Sequence, residues 1–197
     1  MAKRRHNRRY EFKPDKSGTG FLKKLHLTEH QRRIIAKWSL FALVCVMALV
    51  IQDVIMSRIH IFGAVTDLAV CAILVITVLI GSERGSLFSL IASTIYVFGG
   101  TAPGPYSIAY LTIYGTCAAL FRESFWRRGF SSTVLCAGVA LMLYELSLFA
   151  TGLFLGVTLW SRFFIFLTTG ILSWIAMLPM YPLVYKIGSI GGDIWKE

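Results

Sequence analysis

Over most of its length this 197-residue sequence lacks charge. Asp, Glu, Lys and Arg make up 15% of it, against roughly a quarter in average globular chains. The shortage is uneven. Residues 1–37 hold 12 basic residues and three acidic ones, a net of +9. Residues 38–197 hold eight and seven, a net of +1. With 56% hydrophobic residues and a mean hydropathy of +0.66, the body has too little polar surface to face water. An integral membrane protein is expected.

Other absences narrow the chemistry. The four cysteines, Cys45, Cys71, Cys117 and Cys136, stand singly inside apolar runs, with no Cys-x-x-Cys and no His beside them in sequence. That spacing suits neither a disulfide framework nor a zinc site, so they read as small packing residues. There is no Walker-type phosphate loop, no His-Glu-x-x-His and no Gly-x-Ser-x-Gly. Half-repeats and interrupted helices of the kind found in many secondary transporters are also missing. Neither an enzyme nor a cofactor is expected. Strands of about ten residues alternating apolar with polar would signal a barrel, and none appear.

What is present is six apolar stretches, about 34–52, 64–81, 86–99, 106–121, 131–154 and 160–185. A bilayer crossing takes about 20 apolar residues as helix, the form that satisfies its own backbone hydrogen bonds. The expected fold is therefore all-α and polytopic, with about six transmembrane helices spread over residues 28–188. Residues 1–27 form a basic tail, polar enough to be expected disordered over residues 1–20. Residues 189–197 form a short second tail. Thr28-x-x-Gln31 has the capping-box pattern and places a helix start near Thr28. Basic residues set the orientation. With the N-terminus inside, 18 Lys and Arg fall on the cytoplasmic side and only Arg58 and Arg162 outside. Both termini are then cytoplasmic, and "GSERG" (81–85) becomes a tight inner turn.

Lys23, Lys24, Arg32, Arg33 and Lys37 precede or open the first span. They read as a positive-inside anchor that attracts anionic lipid, each basic residue near the surface being worth about 1 kcal/mol. Nucleic-acid binding is not expected, because the tail lacks the interleaved aromatics of a single-strand binder.

Inside the fifth stretch, Glu145 lies deep enough to be a functional candidate by default. Arg162, across the short loop 153–159, is the expected partner. The pair is either a structural tie between the last two helices or part of a proton or substrate site. In both cases Glu145→Gln should lower stability or partner binding. Gly85, Ser89 and Ser93 recur every fourth residue, a small-residue stripe suited to internal packing or to a partner helix. The loop "GGTAPGPYS" (99–107) is expected to be a stiff outer turn.

The order of these features resembles the bacterial rod shape-determining MreD family over about residues 34–188. The first helix, "WSLFALVCVMALVIQ", ends at Gln52, and "VTDLAVCAIL" matches the family's entry to its second helix, with Asp67 at the polar position. "RGSLFSLIASTIY" is similar to its glycine-rich third helix. Glu145 stands where the family often carries an acid. "LPMYPLVYKIGS" is similar to its last helix, with Pro179 and Pro182. Thr66 replaces the usual Pro, Ser89 and Ser93 replace Gly, and the Asp expected near "STIYVFGG" is absent. The resemblance implies a non-enzymatic scaffold of the cell-elongation machinery in the bacterial inner membrane. Its implied partners are an MreC-like single-span protein, a RodA-like polymerase with its transpeptidase, and the MreB filament. The family is also similar in fold to the substrate-binding S components of ECF vitamin transporters. That second class would need a polar pocket near the outer face, which a scaffold would not.

Overall fold

The computed structural model describes residues 29–59, 63–100, 102–125 and 129–190. It is all-helical, with no strand among the described residues. Six α-helices follow in chain order: α1 Glu29–Val54, α2 Leu68–Ile80, α3 Ser82–Phe98, α4 Tyr106–Phe125, α5 Phe130–Phe154 and α6 Phe163–Gly188. Short 3₁₀ turns at Met56–Arg58 and Trp160–Arg162 follow α1 and precede α6. The connections after α2 are short, and Gln52 near the end of α1 reaches Ala69 at the start of α2, so the helices run up and down. We call the end where α1 begins proximal and the opposite end distal.

Helix α2 is the axis of the bundle. Its sequence, LAVCAILVITVLI, is apolar all round, and every residue from Ala69 to Leu79 is buried. A helix without a polar face has to be enclosed by others, and α2 packs against all five remaining helices. Its one polar side chain, Thr77, bonds to its own helix through the Ile73 carbonyl at 2.7 Å.

Small residues let the neighbours approach. A Cβ on Gly85 would stand 2.5 Å from the Thr77 carbonyl oxygen, so α3 meets the α2 backbone directly. A Cβ on Gly115 of α4 would lie 3.2 Å from Thr77 Cγ2 and 3.3 Å from Ser89 Oγ. Ser89 also donates to the Leu111 carbonyl of α4 at 3.2 Å. The stripe Gly85, Ser89, Ser93 is thus buried between α2 and α4. Helices α4 and α5 are joined by Tyr110–Thr151 (2.8 Å) and Tyr114–Ser147 (2.5 Å).

Among the described residues, three helical segments are long and apolar enough to cross a membrane: Gln31–Val54, Phe130–Phe154 and Trp160–Gly188. The expectation of six comparable spans is met only in part, for physical reasons. With 13 residues, α2 is about 20 Å long against a hydrocarbon core of about 30 Å. Helices α3 and α4 carry many Ser, Thr and Tyr residues. The turn expected at "GSERG" also shrinks. Only Gly81, at φ +107°, separates α2 from α3, and Ser82–Gly85 already form the first turn of α3. Glu123 makes this break possible by accepting from both the Ser82 amide (3.0 Å) and its hydroxyl (2.6 Å).

Candidate functional site

The N-terminus of α2 lies level with the distal ends of α1 and α3, where Gln52 and Tyr96 reach it, but meets α6 only at Ser173, well below that helix's distal end. The chain reaches α2 through the non-helical stretch 65–67, and the space above is a cavity of about 350 Å³. Its lining includes Gln52, Thr66, Asp67, Tyr96, Glu145 and Thr169, with Val65, Leu148, Ile165 and Phe166 as its apolar wall.

The floor is a fully dressed helix start. Asp67 is the N-cap of α2, its Oδ1 accepting from the Val70 amide at 3.2 Å. Gln52, at the distal end of α1, accepts from the Ala69 amide through Oε1 at 2.7 Å. The Tyr96 hydroxyl of α3 donates to Asp67 Oδ2 at 2.7 Å. Asp67's own amide donates to Ser173 Oγ of α6 at 2.8 Å, and the Ser173 carbonyl accepts from the Cys71 thiol at 3.0 Å. A helix N-terminus buried in an apolar bundle leaves orphan amides that cost heavily unless side chains meet them. Here one carboxylate and one amide side chain meet two of them.

Glu145 reaches the same cavity from α5. It is only 5% exposed, and it accepts no hydrogen bond and joins no ion pair from any described residue. Its stem passes α6 at Gly170, where an added Cβ would lie 3.6 Å from Glu145 Cγ. Asp67, an acid like Glu145, lines the same cavity. Arg162 is exposed in the turn before α6 and forms no ion pair with Glu145. The expected tie between these two side chains is therefore not made. Glu145 faces inward to α2 and α6, whereas the 3₁₀ turn holds Arg162 at the bundle's rim.

Of the positions singled out by resemblance, Gln52, Asp67 and Glu145 meet at this cavity. Pro179 and Pro182 do not. They lie on the exposed side of the proximal half of α6, where their missing N–H groups leave the Ile175 and Leu178 carbonyls without helical donors. Lys23, Lys24 and Thr28 lie outside the described residues. Arg33 is exposed, while Arg32 and Lys37 are half-buried.

Two residues escaped the sequence reading. Tyr96 gives no signal by itself, because a Tyr near a helix end commonly marks an interface. Arg122 was counted only toward orientation, yet it is 2% exposed. Its guanidinium donates to Thr133 Oγ1 at 3.1 Å and to the Leu79 carbonyl at 3.4 Å, at the C-terminal end of α2. A cation there complements the helix dipole as Asp67 does at the other end.

Comparison with known proteins finds no matching family model, no matching curated protein and no matching solved structure.

Proposed function

We propose that this chain is a six-helix, non-enzymatic scaffold subunit of the bacterial cell-elongation (peptidoglycan synthesis) machinery, embedded in the inner membrane. The observation that carries this reading is a girdle of exposed large apolar side chains around the buried α2. It includes Leu43, Met47 and Val50 on α1, Leu87 and Ile91 on α3, and Val139 on α5. Such a surface belongs in lipid and offers flat faces to other membrane helices. The short α2 still serves as a span, since the other helices enclose it and side chains satisfy both its ends. Both termini are cytoplasmic in this reading, which the 18-to-two division of basic residues supports. The basic residues at the proximal end then face anionic lipid. MreC-like, RodA-like and MreB partners follow from the resemblance in sequence.

The distal cavity favours a second reading, a small-molecule-binding subunit similar to an ECF S component. An S component needs a polar pocket near the outer face, and this cavity holds Gln52, Asp67 and Glu145.

One experiment separates the two. The tagged protein is purified in mild detergent from its own host, and its companions are identified by mass spectrometry. MreC-like and RodA-like companions support the scaffold; an ATPase pair with a bound small molecule overturns it.

A further inference from the structure

We infer that the distal cavity binds a small organic cation, its ammonium or guanidinium group held between Asp67 and Glu145; this deepens the second reading and rests on it.

Asp67 is already bonded to the Val70 amide and the Tyr96 hydroxyl. Glu145 is 5% exposed, opens onto the cavity and has no partner among the described residues. A carboxylate removed from water ordinarily finds a cation or a set of donors. Here the other acidic residue of the same lining is Asp67, and no described residue of the lining is Lys or Arg. Among the described residues the two carboxyl groups thus line one cavity with no cation beside them, and an ammonium or guanidinium entering there would be held in a low-dielectric setting, where such attraction is strongest.

The shape narrows the ligand. A volume of about 350 Å³ lies at the small end of ligand pockets, large enough for a molecule of amino-acid size. The cavity wall at Val65, Leu148, Ile165 and Phe166 suits an aliphatic stem. The hydroxyls of Thr66 and Thr169 add acceptors beside the carboxylates. A divalent metal fits less well. Among the described residues no three His, Cys, Asp or Glu side chains gather as a metal site, whereas hard cations call for six or more oxygen ligands. An ammonium or guanidinium needs only two or three acceptors on one side.

The test uses the full chain in lipid nanodiscs and equilibrium dialysis with radiolabelled putrescine, agmatine and arginine. 1,4-Butanediol serves as the uncharged counterpart of putrescine, and citrulline, a net-neutral zwitterion, as the counterpart of arginine without the side-chain cation. The inference expects saturable binding of at least one cation, at least tenfold tighter than its uncharged counterpart. Glu145→Gln should weaken that binding at least tenfold. Asp67→Asn, which keeps an acceptor for the Val70 amide, should weaken it as well. No saturable binding of any cationic probe at millimolar concentration overturns the inference, as does equal affinity for the uncharged probes or in both variants. A neutral or anionic molecule that co-purifies and occupies the cavity overturns the charge assignment while leaving the small-molecule reading intact.

Discussion

The Tyr96 hydroxyl donates to Asp67 Oδ2 at 2.7 Å, so the distal end of α3 holds the residue that caps α2. Removing that donor in Tyr96→Phe leaves the ring in place and takes one hydrogen bond from the carboxylate. Bonds of this kind between membrane helices contribute about 0.5–2 kcal/mol. We expect a loss of that size in thermal or denaturant unfolding in detergent. An unchanged midpoint would mean that water replaces the hydroxyl.

Gln52 makes a sharper contrast. Its Oε1 accepts from the Ala69 amide at 2.7 Å in a buried setting. Gln52→Leu should cost about 1–3 kcal/mol, since a buried amide then has no acceptor. Gln52→Glu retains an oxygen there and should preserve the amide's bond, although it adds a third carboxylate near Asp67. The expected order of unfolding midpoints is wild type, then Gln52→Glu, then Gln52→Leu. Equal losses in both variants would show that the acceptor does not matter.

These contacts mark what the sequence made legible. The stretch 64–81 was legible as an apolar helix but not as the centre of the bundle, since all six stretches read as comparable spans; Gly85, Ser89 and Ser93 were visible as a packing stripe. Glu145 stood out as an acid deep in an apolar stretch, whereas Gln52 and Asp67 were singled out only by the resemblance. Their meeting at one cavity was not legible, because it depends on the height at which the start of α2 stands against α5 and α6. The pairing of Glu145 with Arg162 followed from depth along a hairpin alone. Depth leaves the helix face undetermined, and it is the face that directs Glu145 toward α2 and away from Arg162.

Gly85 permits a steric prediction. Its absent Cβ would lie 2.5 Å from a backbone oxygen of α2, which cannot rotate away. Gly85→Ala should therefore force α3 off α2 and cost about 1–3 kcal/mol by overpacking. Gly100 lies in the open, with nothing within 4 Å of an added Cβ, but its φ is +76°. Gly100→Ala should cost only about 1 kcal/mol, from the left-handed backbone. Unfolding midpoints of the two variants in one detergent check the ranking, and a reversed order would refute close α2–α3 contact.

Arg122 joins α4 to the last turn of α2 and to Thr133 of α5. Arg122→Met preserves the length but leaves the Leu79 carbonyl and Thr133 without their donor. We expect a loss of about 1–3 kcal/mol in unfolding. Arg122→Lys keeps the charge without the planar fork and should recover only part of that loss. Full recovery by Lys would mean that charge alone matters at this helix end.

Glu145→Gln separates a structural pair from a binding site. A pair with Arg162 would require both Glu145→Gln and Arg162→Gln to destabilise, with strong coupling between them. The structure leaves Glu145 without a described partner and Arg162 exposed. Replacing a buried, unpaired carboxylate with its neutral isostere relieves desolvation, so Glu145→Gln should be neutral or stabilising by about 1 kcal/mol. Arg162→Gln should shift stability by no more than about 0.5 kcal/mol, as surface substitutions usually do. In a double-mutant cycle the two effects should add within about 0.5 kcal/mol. A coupling of about 2 kcal/mol or more would show that the side chains meet in the membrane after all, and would return Glu145 to a structural role.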